Sequence, residues 1–214
     1  MKNLFDNDLL NVGSKALQLN FLEKEGFNVK PGFVLTSPEK DIEIPFTKSI
    51  VRSNGLGEDG NCSYSGIFES IPNVSKDEMN NSIDIVWNSF SSKKYEAYKK
   101  IKKCEVIPGI LIQEMIDSKY SAVAHIFEDK LYIEHIDGFC SQIVSGKCLP
   151  VATTVENNTE VHNYKNEVKF DELVMILRQI YSLYKRPQEV EMTFDGNVWW
   201  ILQTKDIKWQ KKIT

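Results

Sequence analysis

The sequence predicts an α+β fold in two lobes, divided near residue 105. Three observations lead there. Helix-periodic segments alternate with short apolar strands up to Lys103, and from Gly109 onward strands dominate. The chain then closes on a hairpin pattern around Asp195-Gly196. A lobe 1–105 followed by a lobe 106–214 leaves a cleft between them, where ligand sites concentrate.

Each element has its own signal. Ser14 reads as an N-cap, with Ala16, Leu17, Leu19, Phe21 and Leu22 as the helical face and Gly26 as the stop. Pro31-Gly32 is a turn before the short strand Phe33-Val34-Leu35. The apolar run Ser49-Ile50-Val51 forms the next strand and ends on Arg52. Ser75-Lys76-Asp77-Glu78 has the spacing of a capping box, opening a helix whose apolar face is Met79, Ile83, Val86, Trp87 and Phe90. Residues 95–103 give a further helical piece. Strands follow at 110–115, 122–127, 131–136 and 142–144, then a polar loop at 155–165. Residues 170–184 form a helix with Leu173, Ile176, Leu177, Ile180 and Tyr184 on one face. The hairpin pairs 189–194 with 198–203, and Trp199 and Trp200 pack its two faces.

Composition narrows the class. Of 214 residues, 42% are hydrophobic and 26% charged, an ordinary globular balance. The formal net charge of −4 argues against a nucleic-acid partner, which needs a basic face. The lysines at 99–103 read as a solvated helix end. No run of 18 apolar residues occurs, so no membrane span is expected, and MKNLFDNDLL lacks a signal-peptide core. Cys62, Cys104, Cys140 and Cys148 show no C-x-x-C spacing, so they read as reduced thiols of a cytoplasmic protein.

Three constellations carry chemistry. Gly13-Ser14-Lys15 puts a cation at a helix start, where the helix dipole disfavours it unless an anion binds there; the alternative is a solvated lysine. Arg52 precedes a Gly/Ser-rich loop, VRSNGLGEDGNCSYSGIFES. Gly and Ser let backbone amides approach a polyanion, and a guanidinium pairs with one bidentately. Arg52 equally suits an internal ion pair with Glu58 or Asp59. The third is the hairpin. Glu189 and Glu191 share one strand face, and Gln203 lies on the partner strand. Carboxylate plus amide oxygen suits Mg²⁺, whereas an exposed polar face of an edge hairpin is the plain reading. A two-residue turn would set Glu191 opposite Trp200, Glu189 opposite Leu202 and Gln203 opposite Gln188; a longer loop or a bulge would shift this register. The three histidines, His125, His135 and His162, form no catalytic or metal-like pattern.

These segments, in this order, resemble the N-terminal nucleotide-binding domain of phosphoenolpyruvate synthases and pyruvate phosphate dikinases. NVGSKALQLNFL followed by VKPGFVLTS is similar to that family's GGKG and VPPGF opening. The Arg52 segment resembles VRSS-x-x-x-ED-x-x-x-SFAGQ-x-DT, GILIQEMIDSKYSAVAHI resembles its strand pair, and QEVEMTFDGNVWWILQTKDI its DIEWA and LQ-x-RPI ending. The resemblance covers most of the chain. It implies the ATP-grasp fold, with ATP between two lobes, and the cofactors ATP and Mg²⁺.

Position by position, the resemblance implies phosphate contacts from Lys15 and Arg52, a phosphate-covering loop at Ser63, Ser65 and Gly66, and adenine contacts along Gln113, Glu114 and Met115. Glu191 and Gln203 would hold Mg²⁺ with the triphosphate, and Lys205 would stand where the family has Arg, keeping the charge but not the planar fork. Gly138-Phe139-Cys140-Ser141 replaces the family's GLGE, so an acid near the nucleotide is missing. The implied activity is an ATP-dependent phosphotransferase. Its phosphoryl group passes to a histidine carrier, or to a small acceptor, outside this chain, and the partner it binds directly is a small-molecule nucleotide. A compact ATP-grasp kinase or ligase and a non-catalytic nucleotide-binding module are the alternatives.

Overall fold

A computed structural model describes residues 1–58, 64, 66–146, 148–156 and 170–207. The chain forms two compact units, Met1–Met115 and Ile116–Thr214. They divide later than residue 105 because the strand Ile110–Glu114 completes the first unit's sheet.

In the first unit, β1 (Lys2–Asn3), β2 (Gly32–Leu35), β3 (Ser49–Ser53), β4 (Ser70–Val74) and β5 (Ile110–Glu114) make an antiparallel sheet in the order β1-β2-β5-β3-β4. β5 is central and apolar on both faces: Ile110, Leu111 and Ile112 are fully buried. Its Ile110 and Ile112, with Leu35 and Val51, pack against Met79, Ile83 and Val86 of α2 (Met79–Ser89). Two edge strands escaped the sequence pattern. β1 has only two residues, and β4 carries Pro72 and a left-handed Asn73, which interrupt a strand pattern. Pro is tolerated there because β4 pairs on one side only.

Helix α1 (Ser14–Lys24) buries Ala16, Leu19 and Leu22 together with Lys15 and Asn20, while Leu17 and Phe21, expected on the inner face, are exposed. Asn20 donates to the Leu4 and Asp6 carbonyls and so ties the N-terminal segment to the helix. Ser14 does not cap α1; the N-cap position is Gly13, and the Ala16 N–H donates instead to Asn54 Oδ1 at 3.0 Å. The box at Ser75 forms only in part. Glu78 accepts from the Ser75 N–H and hydroxyl, and α2 begins after it, at Met79.

Helix α3 (Lys93–Lys102) is capped by Ser92, whose hydroxyl accepts from the Tyr95 N–H. Tyr95 joins Tyr64, Phe68, Phe90 and Val106 in an aromatic cluster in which the Phe68 and Phe90 rings lie 4.2 Å apart. A left-handed Lys103 ends α3 and turns Cys104 toward that cluster. Cys104 is disulfide-bonded, which corrects the expectation of four reduced thiols. The missing C-x-x-C spacing speaks against a metal site, not against a bond between distant cysteines. Cys140 and Cys148 are free, and Cys62 lies outside the described residues.

In the second unit, β6 (Tyr120–Ile126), β7 (Lys130–Asp137), β8 (Val151–Glu156), β9 (Gln188–Phe194) and β10 (Trp199–Asp206) form an antiparallel sheet in the order β10-β9-β6-β7-β8. Edge strand β8 was not expected: Val155 and Glu156, expected in a polar loop, are its last two residues, and the rest of that loop lies outside the described residues. Residues 142–144 are helical, in the one-turn α4 (Ser141–Val144), rather than a strand. Cys140 and Ile143, three apart, both pack toward Val123, as a helical turn permits.

Cross-strand partners share a face, so the register defines two. One face, bearing Ala122, His135, Met192 and Ile201, lies under α5 (Phe170–Tyr184), which buries Phe170, Leu173, Ile176, Leu177 and Ile180. The other bears Val123, Glu134 and Glu191.

His135 is buried between Tyr120 Oη, which meets its Nδ1, and Thr153 Oγ1, 3.1 Å from its Nε2, with the Phe170 ring against it. Burial pushes its pKa below the ordinary 6.5. Above pH 6.5 both states leave His135 neutral. As pH falls from 6.5 through the folded value, the unfolded chain binds a proton that the folded chain refuses. Stability is therefore expected to fall across that window, by at most about 1.4 kcal/mol per pH unit from this group. Urea unfolding of wild type and His135→Phe between pH 7.5 and 5.5 checks this. The variant is expected to start less stable and to show a shallower slope; equal slopes would remove His135 as the cause.

Candidate functional site

Glu58 organises the first unit's polar centre. Its side chain is almost entirely buried, and Oε1 accepts from the Lys15 ammonium and from Ser53 Oγ at 2.9 Å. Oε2 accepts from the Gly55 N–H at 3.0 Å. Helix α1 has no acid in its first turn. Glu58, 43 residues away, brings a negative charge to Lys15. Of the two acids expected as partners for Arg52, Glu58 pairs with Lys15 and Asp59 lies outside the described residues. The lysine at an acid-free helix start was the available signal, because a buried cation needs a counter-ion.

Asn54 locks this arrangement. Its N–H donates to the Gly109 carbonyl at 2.8 Å while its side chain accepts from α1. The backbones approach too closely for a side chain at either glycine. An added Cβ would stand 2.3 Å from Asn54 O at Gly13 and 2.6 Å from it at Gly109. Both positions therefore require glycine.

Arg52 is buried within β3, opposite Leu111 on β5 and Ser70 on β4. Gln113 faces Ile50, two residues before Arg52, so Arg52 and Gln113 share the sheet face turned away from α2. The Gln113 amide donates to the Lys30 carbonyl at 3.1 Å. Glu114, on the opposite face, pairs with Lys30 at 3.3 Å, and the Met115 N–H donates to the Lys48 carbonyl. Gly66 has a positive φ of 69° and its carbonyl accepts from Lys94. Ser63, Ser65 and Asp59 lie outside the described residues.

The second unit contributes the hairpin. Its loop is longer than two residues. Asp195 Oδ1 accepts from the Asn197 and Val198 N–H groups and Oδ2 from Trp200 Nε1, so Trp199 pairs with Phe194. A bulge between Ile201 and Gln203 then shifts the register once more. The result sets Gln203 directly opposite Glu191, and Lys205 opposite Glu189. The pairings Glu191–Trp200, Glu189–Leu202 and Gln203–Gln188 are thereby corrected. The two oxygen-bearing side chains expected to hold a metal are neighbours on one face.

Beside them, Glu189 takes the Lys205 ammonium at 2.6 Å and His125 Nε2 at 3.3 Å. Burial pushes the Glu189 carboxyl up, but hydrogen bonds from His125 and Lys205 and the nearby positive charge outweigh it and hold it below the usual carboxylate range. Its contribution to stability is full above pH 4.5 and is lost as pH falls through the folded value. Among the described residues no group of three or more His, Cys, Asp or Glu side chains could hold a metal by itself. A carboxylate and an amide oxygen side by side fit Mg²⁺ nonetheless, since that ion takes few protein ligands and completes its shell with phosphate and water. Among the described residues, no helix is long and apolar enough to cross a membrane.

The model of the pyruvate phosphate dikinase AMP/ATP-binding domain matches residues 38–166, more than half of the chain. No curated protein matches. Among solved structures, D-alanine–D-alanine ligase from Bacillus anthracis, complexed with ATP, is 16% identical with a TM-score of 0.51, over 90% of this chain and 54% of that one. The dinucleotide-forming acetyl-coenzyme A synthetase 1 of Ca. Korarchaeum cryptofilum, in complex with coenzyme A and Ca-AMPCP, is 11% identical with a TM-score of 0.52, over 87% of this chain and 89% of that one. A Pyrococcus horikoshii Ot3 protein is 12% identical with a TM-score of 0.52, over 92% of this chain and 91% of that one. At such identities the likeness is one of fold. The chain spans about half the length of the first ligase chains it matches. The chain belongs to the pyruvate phosphate dikinase AMP/ATP-binding domain family, as an ATP-binding domain with the ATP-grasp fold.

Proposed function

We propose that this domain binds ATP with Mg²⁺ and passes a phosphoryl group to an acceptor outside the chain, a histidine carrier or a small molecule. The observation that carries the reading is the cross-strand pair Glu191–Gln203, supported by the family match. Glu191 and Gln203 would hold Mg²⁺, which neutralises charge on the phosphates when bound. Lys15 and Arg52 are the cations for the phosphate oxygens, and both sit at backbone positions fixed by packing. Gln113, on the face of Arg52, and Glu114 at the end of β5, with Met115 just past it, would lie along the adenine. Lys205, held by Glu189, supplies further positive charge beside the Glu191–Gln203 pair. Positioning and charge neutralisation are what phosphoryl transfer asks of a protein.

Phosphorus NMR of products tests this. The domain with Mg-ATP, water and a histidine carrier domain is expected to yield AMP, one phosphate and one phosphohistidine on the carrier per ATP. ADP as the only product would instead indicate direct γ-transfer by a compact kinase or ligase. Binding without turnover across carriers and small acceptors would leave a nucleotide-binding module.

A further inference from the structure

We infer that Glu58 is a positioning residue for nucleotide binding: it holds the Lys15 ammonium in the direction from which it meets phosphate. This rests on the reading that Lys15 is a phosphate ligand. A lysine carries a point charge on four flexible methylenes, and nothing in its own chain fixes where the ammonium points. Here the ammonium is tied to Glu58 Oε1, and both partners are almost wholly buried. The carboxylate is itself fixed on both oxygens, by Ser53 Oγ on Oε1 and by the Gly55 N–H on Oε2. Glu58 is further bound through its backbone, its N–H donating to the Gly55 carbonyl and its carbonyl accepting from the Tyr64 N–H. A carboxylate so anchored does not follow the lysine; the lysine follows it. Ser53 lies next to Arg52 in β3. The segment that carries one expected phosphate ligand thus also orients the other.

A purely structural Glu58 would stabilise the same turn without touching affinity for phosphate, and a double-mutant cycle separates the two roles. The probes are ATP and adenosine, titrated calorimetrically into the whole chain. Lys15→Met is expected to weaken ATP binding about tenfold or more and to leave adenosine unchanged. Glu58→Gln keeps the size and one acceptor oxygen but loses the charge. It is expected to weaken ATP about fivefold and adenosine not at all, and to add nothing in the Lys15→Met background. Ser53→Ala, a milder change that keeps the ion pair, is expected to give a smaller loss for ATP only, also absent in the Lys15→Met background. Glu58→Gln binding ATP as wild type does, or losses that add in the double variant, would overturn the positioning role while leaving Lys15 as a ligand. Lys15→Met binding ATP normally would instead overturn the phosphate reading on which it rests.

Discussion

Glu191→Gln is expected to lower the rate of Mg-ATP cleavage on the order of 100- to 1,000-fold while leaving the fold intact. The substitution keeps the side chain's length and one oxygen, but removes the charge offered to the metal. Losing one preorganised electrostatic contact to a developing phosphoryl charge typically has an effect of this size. Structure should survive because Glu191 is only half-buried and β9 is held by backbone pairing to β6 and β10. Gln203→Ala, directly opposite, is expected to act in the same direction and not to add fully, since both side chains would serve one ion. Single-turnover cleavage with matched urea unfolding curves checks both. A Glu191→Gln protein that cleaves ATP at the wild-type rate would remove the hairpin from the chemistry.

Gly13→Ala is expected to destabilise the first unit by about 2–4 kcal/mol and to weaken ATP binding at the same time. The new methyl would stand 2.3 Å from Asn54 O and 2.6 Å from Asn54 Oδ1. Asn54 cannot retreat, because Gly109 presses on its carbonyl from another side and holds its N–H. Displacing it would cost α1 its bond from Ala16 and move Lys15 relative to Glu58. Urea unfolding followed by far-UV circular dichroism measures the first effect and calorimetric titration with ATP the second. An unchanged midpoint would show that the backbone opens without cost.

Much of this was legible in the sequence, for identifiable reasons. Helix α5 spans the residues its 3.6-residue pattern gave, and β2, β3, β5, β6 and β7 lie within two residues of their apolar runs. Three of the elements that escaped lack period. β1 is two residues, β4 contains Pro72 and Asn73, and α4 is a single turn whose Ile143-Val144 reads equally well as strand. For the site, residue types were visible and geometry was not. Glu191 and Gln203 stood out as metal-suited, yet their pairing depends on Asp195 closing a longer loop and on the bulge before Gln203, neither of which alternation encodes. Glu58 was visible as an acid in a Gly-rich loop, but its pairing with Lys15 rather than Arg52 is a long-range contact. Local pattern cannot fix which cation reaches a carboxylate 43 residues away.

The most direct measurement is a calorimetric titration of ATP, with and without Mg²⁺, into wild type and Glu191→Gln. Mg²⁺ is expected to tighten ATP binding to the wild type at least tenfold, by the order of one charge-assisted contact, and to change little in the variant. Equal Mg²⁺ dependence in the two proteins would contradict a metal held by Glu191 and Gln203.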